Sequence, residues 1–162
     1  MPFDMTQPIT FSFEEAGMQR VVAWRALIEL LMQETDTFMI GSVRQGQDEP
    51  EISHQPAITL LLIAEQDEMS QPVGISSITD GELGIAILQQ FQGAGLGQAS
   101  MDTLIDWAQQ MSLESLWLDV QTDNQVAIHL YQKYDFKNVG ELTAIELPNG
   151  RKTELQRMLK VL

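Results

Sequence analysis

The sequence predicts a single α/β (α+β) domain built on a mixed sheet with flanking helices. Three β-rich segments follow one another as a meander over residues 57–88, and helix-like and strand-like segments alternate after them. A meander makes antiparallel strands, whereas strand–helix–strand alternation is typical of layered α/β folds. A length of 162 residues suits one compact domain, so residues 1–162 are assigned to one unit.

The N-terminal part predicts a strand, a helix and an irregular segment. Residues 9–13 alternate and are rich in β-forming side chains, which favours a strand. Apolar residues recur at helical spacing over 18–32, and Glu14 and Glu15 before them suit the positive end of a helix dipole. Glycines and prolines interrupt residues 41–57, where a short helical turn fits at most.

The meander and the C-terminal half supply the other elements. The meander predicts strands at 57–65, 73–79 and 82–88, with a polar turn at 66–72 and a hairpin turn at Asp80-Gly81. After a loop at 89–97, the pattern predicts helices at 98–111 and 124–134 and strands at 115–121, 136–147 and 152–161. Gly140 predicts a bulge or bend within its strand.

Composition narrows the classes of function. Nine Lys and Arg against 23 Asp and Glu give a net charge of −14, which disfavours nucleic-acid binding. Such a surface can steer a cationic substrate, and the alternative is that it only keeps the protein in solution. The chain has no cysteine, which excludes disulfides and a cysteine nucleophile, and its two distant histidines disfavour a metal site. No signal peptide or membrane-length apolar run is recognisable, so we expect a cytoplasmic protein.

A glycine-rich loop, Gln92-Gly93-Ala94-Gly95-Leu96-Gly97, lies between a predicted strand and a predicted helix. Backbone N–H groups in such a loop, with the positive end of the helix dipole, form an anion site that needs no lysine. It is not a Walker A loop because no Lys-Ser or Lys-Thr follows, and its glycine spacing differs from the dinucleotide fingerprint. A tight connection that binds no ligand is the alternative.

A second polar feature is predicted on the helix at 124–134. Asn124, Ala127 and Tyr131 are spaced so that they share one face of this helix, and Asp123 or Asn124 can cap its first turn. The face therefore combines an amide, a small residue and a phenol. The alternative is that Tyr131 is a core aromatic whose hydroxyl reaches the surface.

These two segments resemble the signatures of the GCN5-related N-acetyltransferase (GNAT) superfamily, in its bacterial branch. Residues 92–97 match Gln/Arg-x-x-Gly-x-Gly/Ala, residues 124–131 match Asn-x-x-Ala-x-x-Leu-Tyr, and residues 82–87 look like the family's fourth strand. The resemblance covers essentially the whole chain and is sharpest from 82 to 142. It implies a mostly antiparallel sheet of six to seven strands, in the order β-α-(α)-β-β-β-α-β-α-β-β.

The resemblance also implies an activity and a set of site residues. The family transfers an acetyl group from acetyl-coenzyme A to a primary amine, usually by direct attack and without an acyl-enzyme. Tyr131 would protonate the leaving thiolate, Asn124 would bind the cofactor arm, and the main chain of Ile87 would pair with the pantetheine. The pyrophosphate would lie on the loop residues Gln92, Gly93, Ala94, Gly95, Leu96 and Gly97.

The general base stays open at this point. Glu82 lies close to where some family members have a catalytic glutamate, but a solvated turn carboxylate or a water chain are alternatives. His129 is assigned to the surface or to packing, and His54 could line the acceptor mouth. Where the family usually has Gly-Phe after the tyrosine, this chain has Asp135-Phe136, and Asp tolerates a left-handed C-cap better than most residues.

Two other functions remain open on the same residues. One is a non-catalytic acyl-coenzyme A binding or sensing module, which the retention of Asn124 and Tyr131 disfavours because a pure binder needs no acid. The other is a different nucleotide binder that uses the glycine loop. The acceptor, a small molecule or a peptide, would be chosen by residues 33–57 and 142–153, and a homodimer could form through the last strands.

Overall fold

A seven-stranded mixed sheet is the framework of the molecule. The computed structural model describes residues 3–17, 21–35 and 55–162. The strand order is β1-β2-β3-β4-β5-β7-β6, and every neighbouring pair is antiparallel except β4 with β5. This confirms the predicted fold class. The strands are β1 Thr10–Glu15, β2 Ile58–Gln66, β3 Met69–Thr79, β4 Glu82–Ile87, β5 Ser115–Gln121, β6 Lys137–Glu146 and β7 Lys152–Val161.

Three α-helices within the described residues cover this sheet. They are α1 Val21–Glu34, α2 Leu96–Gln110 and α3 Gln125–Lys133. Leu27 and Leu31 of α1 belong to one cluster of buried side chains, whereas Met101 and Leu104 of α2 and Tyr131 of α3 belong to a second. Strands β2, β3 and β4 contribute to both clusters, so the sheet is the common wall of the two cores.

Several predicted boundaries were wrong. The turn predicted at 66–72 has only two residues, because Asp67 adopts a left-handed φ of 54° and Met69 already pairs with Gln66. Glu14 and Glu15 end β1, opposite Leu61 and Leu60, and do not precede a helix directly. Residues 36–54 lie outside the described residues, and they include most of the segment 41–57, where a helical turn was allowed, and the place of the optional second helix of the family order.

Two local predictions are confirmed. Gly140 has a φ of 72°, and the β6–β7 register shifts between Val139 and Thr143, as expected for a bulge. Asp135 has a φ of 68° directly after α3. The N–H of Asp135 donates to the carbonyl of Gln132, and the N–H of Phe136 donates to the carbonyl of Tyr131. These two bonds are the hydrogen-bond pattern of a Schellman C-cap.

This C-cap gives a stability prediction. Asp135→Gly is expected to raise the free energy of unfolding by roughly 0.5 kcal/mol, because glycine removes the left-handed strain but adds freedom to the unfolded chain. Asp135→Ala, which keeps a Cβ and loses the polar side chain, should lower it. Urea unfolding of the three proteins measures both differences, and a glycine variant less stable than the alanine variant would contradict the assignment.

Candidate active site

A groove opens where β4 and β5 separate. Among the described residues, the two strands pair only at Glu82 and Trp117. There the N–H of Trp117 donates to the carbonyl of Gly81 at 2.9 Å, and its indole Nε1 donates to the carbonyl of Asp80 at 3.1 Å. Beyond this junction the strands diverge and leave a cavity of about 730 Å³.

The backbone of β4 presents hydrogen-bonding groups to this groove. The Asp80-Gly81 turn has two residues, so Thr79 and Glu82 form the first hydrogen-bonded pair of the hairpin. Antiparallel ladders alternate, so every second residue from Glu82 onward directs its N–H and C=O toward β3. The backbone groups of Ile85 and Ile87 therefore face β5, across the groove that both residues line.

The glycine-rich loop closes one end of the groove. A short 3₁₀ turn, Gln89–Phe91, leads into the loop, and the buried Phe91 ring anchors it edge-on against Phe3 and Phe11, with centroids 5.7 and 6.0 Å away. Gly95 is the N-cap of α2, with a φ of 78°. Helix α2 begins at Leu96, two residues earlier than predicted, so its first turn includes the last two residues of the glycine-rich loop, Leu96 and Gly97.

Unpaired N–H groups follow from this helix start. The first N–H groups of any α-helix lack an intrahelical acceptor. The N–H of Ala99 bonds to the carbonyl of Gly95, whereas those of residues 96–98 find no backbone acceptor outside the helix among the described residues. The first turn of this 15-residue helix therefore carries N–H donors without backbone acceptors at the positive end of the helix dipole, which is the arrangement that an anion site needs.

Helix α3 brings the three residues predicted from its spacing to the same groove. Asn124, Ala127 and Tyr131 all line it. The Asn124 side chain accepts from the N–H of Ala127 at 3.3 Å and so caps the helix. Tyr131 is 8% exposed, and its ring centroid lies 5.9 Å from that of Phe136. Burial raises the pKa of the Tyr131 hydroxyl to about 12. The side chain is thus both a core aromatic and part of the groove wall.

The structure places Glu82 at the junction of β4 and β5, outside the residues that line the groove. The Glu82 carboxylate lies close enough to Arg157 for its charge to affect the pKa of the guanidinium. Hydrogen bonding to Asp119, then the charges of Asp119 and Glu82, raise the pKa of the Arg157 guanidinium. That guanidinium also lies 4.2 Å from the centre of the Trp117 ring, so a cluster of charged and aromatic groups holds the junction together.

Asp119 is a groove residue that sequence reasoning missed. Its carboxylate oxygens accept from Arg157 Nε and Nη2 at 2.9 and 3.1 Å, and its side chain is 14% exposed. Asp119 lines the groove from β5, whereas Ile85 lines it from β4. The available signal was a charged residue between the core positions Leu118 and Val120, which by strand alternation belongs to the other face.

Glu34 and Lys133 also line the groove without having been predicted. Glu34 Oε2 accepts from the N–H of Gln89 at 2.8 Å and so ties the end of α1 to the loop. His129 lines the groove as an exposed side chain, whereas His54 lies outside the described residues. Within the described ranges, no group of three potential ligands that could hold a metal occurs, and no helix is long and apolar enough to cross a bilayer.

Comparison with known proteins gives consistent matches. The model of the acetyltransferase (GNAT) family matches residues 24–136. An acetyltransferase of the GNAT family from Streptococcus pneumoniae has a similar structure, with a TM-score of 0.74 and 26% identity over 94% of this chain and 100% of that one. A Salmonella typhimurium structure that contains its cofactor acetyl-CoA has a TM-score of 0.68 and 18% identity, covering 94% of each chain.

A curated relative matches over a shorter stretch. The ribosomal protein bS18-alanine N-acetyltransferase of Escherichia coli K12 is 38% identical over 52 residues. These residues are 32% of this chain and 35% of the relative. The matched segment therefore spans about a third of the length of the curated relatives.

Proposed function

The chain belongs to the acetyltransferase (GNAT) family, and from this premise we propose that it transfers the acetyl group of acetyl-coenzyme A to a primary amine. The observation that carries the proposal is the separation of β4 from β5, with a donor-rich helix N-terminus at one end and Tyr131 in the wall. A long, flexible thioester fits such a groove, because beyond Glu82 the edge of β4 that borders it pairs with no described strand.

The proposed place of the donor substrate follows from the unpaired backbone groups. The pyrophosphate lies on the N–H groups of residues 96–98, at the end of the loop Gln92 to Gly97. The pantetheine arm runs beside β4 and pairs with the main chain of Ile85 and with the N–H of Ile87, as an added strand does, because the Ile87 carbonyl already accepts from Gln92 Nε2 at 2.9 Å. Asn124 has its carbonyl oxygen engaged in the helix cap, so its NH₂ group is the one that donates to the arm.

The proposed reaction is direct attack by the amine on the thioester carbonyl. An N–H of β4, at Ile85 or Ile87, stabilises the carbonyl oxygen as it gains negative charge. Tyr131 donates a proton to the departing thiolate. Because its pKa is raised to about 12, the phenol stays protonated throughout the neutral range and is always able to donate. A phenol that stays protonated can donate to the thiolate, whereas it cannot take the proton of the amine as a base in this pH range.

Two carboxylates are candidates for the group that accepts the proton of the amine. Glu82 is the candidate that the family resemblance suggests, but it does not line the groove. Asp119 lines the groove and is held in place by Arg157. We therefore propose that the ammonium form of the acceptor docks against the Asp119 carboxylate, which then accepts its proton. Glu82 then acts at the junction, through the charge of Arg157.

Conservative variants distinguish the two carboxylates. Asp119→Asn is expected to lower kcat/KM for the amine by about 10²-fold, whereas Glu82→Gln lowers it by less than about tenfold. Steady-state kinetics at saturating acetyl-coenzyme A measures both, with thermal unfolding to check that each variant folds. The reverse order of the two effects would assign the base to Glu82, and two small effects would favour proton removal through water.

The acceptor class is proposed from charge and from the relatives. The net charge of −14 and the groove carboxylates Asp119 and Glu34 favour a cationic amine. The Escherichia coli relative acts on an alanine of a ribosomal protein, so peptide N-termini belong in the test beside small amines. The test is release of coenzyme A with a panel of polyamines, amino acids, aminoglycosides and N-terminal peptides. Tight binding of acetyl-coenzyme A without turnover on any amine would favour a sensing module instead.

A further inference from the structure

The groove has an uneven distribution of charge. Residues 88–98, which form the anion-binding end, contain no lysine or arginine. Among the described residues that line the groove, Lys133 is the only lysine or arginine, and Glu34 and Asp119 are the acidic ones. The anion-binding end therefore depends on backbone dipoles, apart from one lysine on α3.

Helix α3 places that lysine beside the loop. Leu130 packs so closely on Gly97 that a Cβ there would lie 3.3 Å from Leu130 Cδ2. The hydroxyl of Tyr134 donates to the carbonyl of Gln98 at 3.1 Å. The C-terminal half of α3 thus lies against the first turn of α2, whose N–H groups are free. Lys133 comes between these two contact residues in sequence, and it lines the same groove.

Lys133 is also available to a ligand. It is exposed, and it takes part in no ion pair with a described residue, whereas Arg151 pairs with Asp123 and Arg157 with Asp119. Together with Val126 and His129, it occupies positions i, i+3 and i+7 on the exposed rim of α3. Lys133 lies in the last turn of α3, where its positive charge interacts favourably with the helix dipole. This interaction uses none of the hydrogen-bond donors of the ammonium group, so they can bind a ligand.

Resting on the proposed function, we propose that Lys133 binds the 3′-phosphate of coenzyme A and makes the protein prefer coenzyme A to its 3′-dephosphorylated form. Coenzyme A carries a phosphate monoester besides its pyrophosphate, with a charge of about −1.5 to −2 at neutral pH. The free N–H groups of α2 serve the pyrophosphate. The protein has a net charge of −14, so binding of the additional dianion needs a nearby cation. Among the described residues that line the groove, Lys133 is the only lysine or arginine.

The test compares two ligands and two lysines. Dissociation constants of acetyl-coenzyme A and acetyl-3′-dephospho-coenzyme A are measured by calorimetry for the wild type, Lys133→Gln and Lys137→Gln. Lys137 is an exposed lysine of β6 that does not line the groove, so its substitution removes the same charge elsewhere. Thermal unfolding of each protein checks the fold.

The wild type is expected to bind the dephosphorylated ligand about tenfold more weakly, as loss of one hydrogen bond to a charged group predicts. Lys133→Gln should weaken binding of acetyl-coenzyme A by a similar factor and bind both ligands equally, whereas Lys137→Gln keeps the preference. Equal weakening of both ligands by Lys133→Gln, or a wild type without preference, overturns this inference and leaves the proposed function intact. A wild type that binds neither ligand overturns the proposed function as well.

Discussion

Tyr131→Phe is expected to lower kcat by about 10²- to 10⁴-fold, the range typical for loss of a general acid. The substitution removes one hydroxyl from a ring that is 8% exposed and packed on Phe136, so the core keeps its shape. The KM for acetyl-coenzyme A should change by less than about threefold, because the lost interaction matters mainly in the transition state. Steady-state kinetics with the best amine of the panel measures both constants.

Tyr134→Phe is the matched control for this substitution. Tyr134 lies three residues further along, and its hydroxyl shares its one proton between Asp102 Oδ1, at 2.9 Å, and the carbonyl of Gln98, at 3.1 Å. Burial and the bond to Asp102 raise the pKa of Tyr134 to about 12 as well, so both phenols are protonated at neutral pH and only Tyr131 lines the groove. A kcat that falls equally in both variants, or in neither, would remove the catalytic role from Tyr131.

Much of the fold follows from periodicities that each segment carries by itself. The apolar run of β2, the Asp80-Gly81 hairpin and the helical spacing of α2 and α3 are local signals, and each predicted element is present. Two parts of the candidate site were also predictable from local patterns. The glycines of the loop and the Asn124–Tyr131 face depend on spacing within one element, so the sequence predicts which residues belong together.

The remaining features depend on contacts between distant segments. The groove exists because β5 pairs with β7 along its full length but with β4 at a single position, and no local pattern specifies that difference. Sequence alternation put Asp119 on one face of β5 without indicating that this face borders an opening. The short β2–β3 turn was missed because Ser70 and Gln71 look like turn residues, although they continue the ladder opposite Glu65 and Ala64.

The anion site gives the second large effect, in the variant Gly95→Asp. We expect this substitution to weaken binding of acetyl-coenzyme A by about 10³-fold, because like charges placed together cost several kcal/mol. The new carboxylate lies at the N-cap of α2, where it competes with the pyrophosphate for the free N–H groups. Asp tolerates left-handed backbone better than most residues, so the φ of 78° at this position does not prevent folding.

Gly140→Asp separates this effect from backbone strain. Gly140 has a φ of 72°, and at both glycines an added Cβ would have no described atom within 4 Å. The two variants therefore carry the same charge and a comparable strain, one at the phosphate end of the groove and one at the bulge of β6. Calorimetry should find the dissociation constant of acetyl-coenzyme A within about twofold of the wild type for Gly140→Asp. If both variants bind alike, the pyrophosphate does not lie on the N-terminus of α2, and the donor must enter the groove in another orientation.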